Sequence, residues 1–213
     1  MIGVHMYNII FDLDGTLWDT TYIVAESWKK YLVEHYDSNF HVSEEMLKGL
    51  FGKPITEIAQ LLFPNETKEK CQELIRGCCK LQHEVLETRA PEVYAGVREG
   101  LQELKEAGHR MFIVSNSQQG YIELFLRVSG LGMFFEGILC AGDTGEPKAY
   151  NIEKIIADYQ IKDPIYIGDT DGDHQAAKSA KVPFVFATYG FGDTKEPNYR
   201  IEKFADLVAL MKH

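Results

Sequence analysis

Long apolar runs are missing from this 213-residue chain, and so is any excess of positive charge. No stretch approaches the ~18 apolar residues that a membrane-spanning helix needs, so no membrane role is expected. Lysine and arginine number 22 against 32 acidic residues, a net charge of −10. A nucleic-acid surface needs a basic stripe, so nucleic acid is not an expected partner. A small phosphorylated metabolite stays compatible, because a lysine and a divalent metal set the field locally inside a cleft. The cysteines are few (Cys71, Cys78, Cys79 and Cys140) and form no CxxC pair. That argues against zinc and for reduced thiols in the cytoplasm. The opening MIGVHMYN lacks a basic region followed by a long apolar one, so no secretory signal is expected. Internal repeats and low-complexity runs are absent too. Nothing in the sequence specifies an oligomeric state.

What is present is a series of short apolar runs that end in polar chemistry. Tyr7–Leu17 reads YNIIFDLDGTL. In an extended strand, residues two apart share a face, so Asp12 and Asp14 point to one side and Leu13 to the other. Two such carboxylates repel each other unless a cation or proton lies between them. The pattern suits a metal site with a nucleophile and an acid/base partner; the competing reading is an ordinary Asp-rich turn. Three further stretches add to it: MFIVSNS at 111–117, DTGEPKAY at 143–150 with Lys148 at a helix start, and PIYIGDTDGD at 164–173. Ligands of open α/β sheets bind at the carboxyl ends of parallel strands, so these polar ends are expected to meet in one crevice.

Strands are predicted near 7–12, 110–115, 135–140, 164–168 and 183–187, with helices near 96–107, 118–129, 148–159 and 172–180. This alternation predicts an α/β fold, a Rossmann-like parallel sheet with helices on both faces. The stretch between Leu17 and about Thr88 has no strand pattern. Val24, Trp28, Tyr31, Leu32 and His35 fall at helical spacing, as do Cys71, Leu74, Ile75, Cys78, Leu81 and Val85. With shorter helices near 43–50 and 54–63, they predict a helical domain at 18–88 inserted into a core domain made of 1–17 and 89–213.

The ordered set DLDGT, Ser115, Lys148 and GDTDGD resembles the haloacid dehalogenase-like (HAD) hydrolase superfamily, in its phosphoglycolate-phosphatase-like branch with a helical cap. Many relatives carry the lysine as Lys-Pro-x-Pro, whereas here Lys148 follows Pro147, a minority pattern. The resemblance implies a magnesium-dependent phosphatase of small, phosphoglycolate-like phosphate monoesters acting through an aspartyl-phosphate on Asp12. It implies Asp14 as acid/base and Lys148 as the cation that pairs with Asp12. Ser115 and Asn116 would bind the phosphoryl group. Mg2+ would be held by Asp12, Asp14 through its backbone carbonyl, and Asp169, with Asp173 steering Asp169 or a bound water from behind. Asp171 reads as the cap of the following helix, and His174 as a surface position. The loop 49–54 is a candidate specificity loop, against the plainer reading of an exposed Gly/Pro turn. A phosphomutase of the β-phosphoglucomutase type would use the same aspartates. A dehalogenase would not need Asp14, and a non-catalytic binding module would not need the full set.

Overall fold

A computed structural model of the chain describes residues 7–212. The segment 1–6, read above as lacking a secretory signal, lies outside the described residues. The first strand, β1 (Asn8–Phe11), is followed by four helices: α1 (Thr21–His35), α2 (Glu44–Lys48), α3 (Ile55–Leu62) and α4 (Lys68–Thr88). Then come α5 (Val97–Glu106), β2 (Arg110–Ser115), α6 (Tyr121–Ser129), β3 (Gly137–Cys140), α7 (Ala141–Thr144) and α8 (Lys148–Asp158). The chain continues through β4 (Pro164–Gly168), α9 (Asp171–Ser179), β5 (Phe184–Ala187), β6 (Tyr199–Ile201) and α10 (Phe204–Leu210).

The six strands form one sheet in the order β3-β2-β1-β4-β5-β6, with every neighbouring pair parallel. Buried parallel strands are apolar on both faces, and the side chains of β1 alternate accordingly. Ile9 and Phe11 join a core with Leu101, Leu104, Phe125 and Phe204 from α5, α6 and α10. Ile10 joins the opposite core with Ile152, Ile155, Ala176 and Ala177 from α8 and α9. β1 lies between β2 and β4, so the connections leaving the sheet on its two sides diverge above β1. That divergence opens a crevice at its carboxyl end.

The four helices between β1 and α5 bury an apolar core of their own. Val24, Trp28 and Leu32 of α1 meet Leu74, Ile75 and Cys78 of α4, with Leu47, Ile58 and Phe63 completing it. The helical spacing predicts this burial for most positions, but His35 is exposed, and near the end of α4 Gln82 and Leu86 are buried while Leu81 and Val85 are half-buried. The two connections to the sheet run side by side, with Trp18 bridged to Val93 and the Tyr94 N–H donating to the Leu17 carbonyl at 3.0 Å. All four cysteines are free thiols, and burial pushes the Cys79 thiol up to about 12. Among the described residues no helix is long and apolar enough to cross a membrane.

Three elements go beyond the sequence reading: the short helix α7, strand β6 and helix α10. β6 has three residues, two of them exposed, so it carries no apolar run. Its place at the sheet edge comes from pairing with β5. One expectation is corrected. Thr170, not Asp171, caps α9: its hydroxyl accepts the Asp173 N–H at 3.2 Å, and Asp173 returns the contact in a capping box. Asp171 is the first residue of the helix and accepts from Thr194 Oγ1 at 2.7 Å.

Candidate active site

The chain leaves β1 at Phe11, and the next residue, Asp12, is buried just beyond the strand end. Its carboxylate accepts from Lys148 Nζ at 2.8 Å, and the same ammonium lies 2.6 Å from Asp173 Oδ1. Lys148 starts α8 immediately after Pro147, which stands at the N-cap in extended conformation. All three side chains are almost fully buried. A lone lysine at a helix start is usually solvated; this one is held inside by two carboxylates. Burial opposes its charge, but Asp12 and Asp173 outweigh that and raise its proton affinity.

Asp169 follows β4 and completes the cluster. Oxygens of Asp12, Asp169 and Asp173 lie within 4.8 Å of one another. Asp169 Oδ2 accepts the Phe191 N–H at 2.7 Å. Two glycines leave room for this carboxylate. A Cβ on Gly15 would lie 2.1 Å from Asp169 Oδ2, and one on Gly190 would lie 2.2 Å from its Cβ. Gly15 also has φ +83°, a conformation that favours glycine. Asp173 is committed differently. One oxygen meets Lys148, and the other accepts from Thr170 Oγ1 at 2.7 Å and from the backbone N–H groups of Thr170 and Asp169 at 3.0 and 3.2 Å.

Burial, reinforced by Asp173, pushes the Asp12 carboxyl up to about 7 against the pull of Lys148. Burial raises Asp169 well above the usual carboxylate range, with Asp173 and Asp12 adding to the effect. A buried cluster of hard oxygen donors with this much unrelieved repulsion fits a divalent cation such as magnesium. Asp12 and Asp169 have geometry and chemistry suited to hold one.

Asp14 lines the same cavity as Asp12, Ser115, Asn116 and Lys148. Its Oδ1 accepts from Tyr121 Oη at 2.9 Å and from Thr20 Oγ1 at 3.2 Å, and the two hydroxyls are 3.0 Å apart. Burial pushes Asp14 up to about 6, while hydrogen bonds from Tyr121 and Thr20 act in the opposite sense. Ser115 ends β2, and its Oγ accepts the Ser117 N–H at 3.2 Å. The hydroxyl proton is therefore available to a ligand. Asn116 Nδ2 donates to the Gly52 carbonyl at 2.7 Å.

That bond brings the 49–54 loop onto the site. Phe51, Gly52 and Lys53 line the cavity, joined by Trp28, Ile55, Ile58 and Gln82 from the helices above. Phe51 also packs edge-on against Phe191, with centroids 5.8 Å apart. His174 is half-buried rather than exposed, stacked on Phe184 with its Nδ1 2.9 Å from Thr194 Oγ1. Sequence reasoning missed Thr20, Tyr121, Trp28 and Gln82 as site residues. Thr20 and Tyr121 are separated by 101 positions, so no local pattern could pair them.

The sequence model of the haloacid dehalogenase-like hydrolase family matches residues 9–187. The pyrophosphatase PpaX of Bacillus velezensis is 31% identical over 211 residues, covering 95% of this chain and 94% of that protein. The crystal structure of a predicted phosphoglycolate phosphatase from Haemophilus somnus has a TM-score of 0.84 at 22% identity, covering 96% and 97% of the two chains. CbbY of Rhodobacter sphaeroides, solved as a mutant with xylulose-(1,5)bisphosphate, has a TM-score of 0.81 at 15% identity, covering 95% and 96%. The two structural likenesses carry the fold, and the family match spans Asp12, Asp14, Ser115, Lys148, Asp169 and Asp173. On these grounds the chain belongs to the haloacid dehalogenase-like hydrolase family, as one of its phosphatase-type enzymes.

Proposed function

We propose that the chain hydrolyses small phosphate monoesters, with Asp12 as nucleophile, Asp14 as acid/base and magnesium as the resident metal. The observation that carries this reading is Lys148, buried between Asp12 and Asp173 at 2.8 and 2.6 Å. The lysine keeps an attacking carboxylate oriented where an approaching phosphate would otherwise meet only negative charge.

A carboxylate nucleophile splits one hard displacement into two easier ones. An Asp12 oxygen forms a bond to phosphorus as the ester P–O bond breaks, and Asp14 gives its proton to the departing oxygen. Asp14 then takes a proton from water as that water attacks the aspartyl-phosphate, breaking the P–O bond to Asp12 and releasing phosphate. A carboxyl held near 6 can both give and take a proton near neutral pH. Ser115 donates to a phosphoryl oxygen. Asp12 and Asp169 would hold the magnesium ion, with the Asp14 carbonyl as the third ligand that the family resemblance implies. When bound, the ion offsets charge between Asp12 and the phosphate and polarises the phosphoryl oxygens. Asp173 acts from behind, holding Lys148 and the backbone of Asp169.

Residues 18–88 serve as a cap in this reading. The hydrogen bond from Asn116 to Gly52 and the contact of Phe51 with Phe191 support a closed position that keeps bulk water from the reacting phosphate.

The test is phosphate release from a panel of esters with magnesium, with chelator, and with Asp12→Asn. Release that requires both magnesium and Asp12 is the expected result. A folded protein that releases none but converts a sugar phosphate into its isomer would replace this reading with the phosphomutase.

A further inference from the structure

The half of the cavity that faces the leaving group is neutral, and one buried amide in it is fixed in orientation. Gln82 of α4 and Trp28 of α1 are both buried, and Trp28 Nε1 donates to Gln82 Oε1 at 2.8 Å. An indole N–H can only donate, so the amide oxygen must face Trp28. The NH2 end of Gln82 is then the end left to the cavity that this residue lines, and among the described residues it has no protein acceptor. Beside it Trp28, Phe51, Ile55 and Ile58 supply apolar surface, and Asn116, Ser117 and Gln118 add uncharged polar atoms to the lining.

Charge on this side sums to zero. The one cation lining it is Lys53, whose Nζ lies 2.7 Å from Glu57 Oε1. The pair is half-exposed, so its strength is slight. Glu57 is the third residue of α3, so the helix holds its backbone four positions from Lys53 and within reach of that ammonium. Glu57 in the first turn also offsets the positive end of α3. Below, Asp12, Asp14, Asp169 and Asp173 face a single lysine, Lys148. A bound dication and Lys148 can neutralise that cluster or the arriving phosphoryl group, with nothing left over for a second anion.

We propose that the leaving group is an uncharged polar alcohol, with a hydroxyl or carbonyl oxygen that accepts from the Gln82 amide. Esters whose leaving group carries a carboxylate or a second phosphate are poor substrates. This rests on the phosphatase reading above and narrows its substrate class. It sets the chain apart from relatives whose names specify pyrophosphate or phosphoglycolate.

A matched pair of esters tests it: 2-hydroxyethyl phosphate against 2-phosphoglycolate, which differ by a CH2OH in place of a carboxylate, with pyrophosphate as a third arm. The wild type is expected to favour the neutral ester by about tenfold or more in kcat/KM, the scale of one unmatched charge. Glu57→Gln, at an exposed position and nearly isosteric, uncovers the charge of Lys53. It should narrow the gap by lowering KM for 2-phosphoglycolate. Gln82→Leu should lower kcat/KM for the neutral ester. Turnover of 2-phosphoglycolate or pyrophosphate by the wild type as fast as the neutral ester would mean that Lys53 is available to substrate, and would overturn this inference alone. No release from any ester would sink the phosphatase reading and this inference with it.

Discussion

Replacing Lys148 by methionine removes the one cation from the buried cluster at nearly constant volume, and the consequence can be worked out. Its ammonium is 2.8 Å from Asp12 and 2.6 Å from Asp173, with all three side chains at 4% exposure or less. At an effective dielectric of about 20, each contact is worth roughly 6 kcal/mol before desolvation. Burying the lysine consumes much of that gain. Removing one partner of a buried pair typically leaves a net cost of ~3–5 kcal/mol. For a chain of this size ~1 kcal/mol shifts Tm by roughly 2–4 °C, so at pH 8 in chelator a fall on the order of 6–20 °C is expected. The loss must depend on pH. Asp12 stands at about 7 in the folded protein against 3.8 ordinarily. Between those values the folded state binds the extra proton, so stability falls as pH rises through that window. Without Lys148 the carboxyl rises further and the decline extends to higher pH. The variant should therefore lose less against wild type at pH 5.5, where Asp12 is neutralised by a proton, than at pH 8. Urea or thermal unfolding at the two pH values reads this directly. An equal loss at both, or a loss below ~1 kcal/mol at pH 8, would refute the claim that Lys148 neutralises buried carboxylates.

Tyr121→Phe removes one of two hydroxyls that fix Asp14. Hydrogen bonds to charged groups are worth ~1.5–3 kcal/mol, so kcat/KM for alkyl phosphates, which reports the steps up to leaving-group departure, should drop by roughly 10- to 100-fold. With p-nitrophenyl phosphate, whose leaving group needs no proton, the drop should be much smaller, and equal losses on both esters would sink the assignment. Gly15→Ala forces a Cβ to within 2.1 Å of Asp169 Oδ2 at φ +83°. It should lower Tm and weaken magnesium binding together; an unchanged magnesium affinity by calorimetry would argue against Asp169 as a ligand. In the proposed site magnesium needs Asp12 and Asp169 both ionised, so its affinity should climb by ~10-fold or more per unit as pH rises through about 7. Titrations from pH 5.5 to 8.5 check this, and a flat profile would contradict it.

The parts of this fold legible in the sequence are those where one physical demand acts on neighbouring residues. β1, β2 and β4 are buried on both faces, so each must be a continuous apolar run, and each reads as one. The helices α1 and α4 bury one stripe each against the other, so Trp28, Leu32, Leu74 and Cys78 recur at helical spacing and meet in one core. β6 meets no such demand, since a short edge strand keeps only one residue buried. The Asp171 reading erred for a related reason: aspartate and threonine are both good caps. The choice fell to Thr170 because Asp173 three positions on closes a capping box with it.

The same distinction divides the site. Asp12, Asp14, Ser115, Lys148 and Asp169 sit at strand ends or a helix start, where a change from apolar to polar residues marks them. The residues that position and select have no such mark. Tyr121 is a buried aromatic on α6, indistinguishable in sequence from Phe125 one turn on, until the fold sets its hydroxyl against Asp14. Gln82 occupies a buried position of α4, where a glutamine breaks an apolar stripe. The break gains a meaning only through Trp28, 54 positions earlier. A polar residue on the buried stripe of a helical insert is thus worth inspecting. Burying an amide costs free energy unless it is hydrogen-bonded, and here one indole satisfies the oxygen and leaves the other end to the cavity above Asp12.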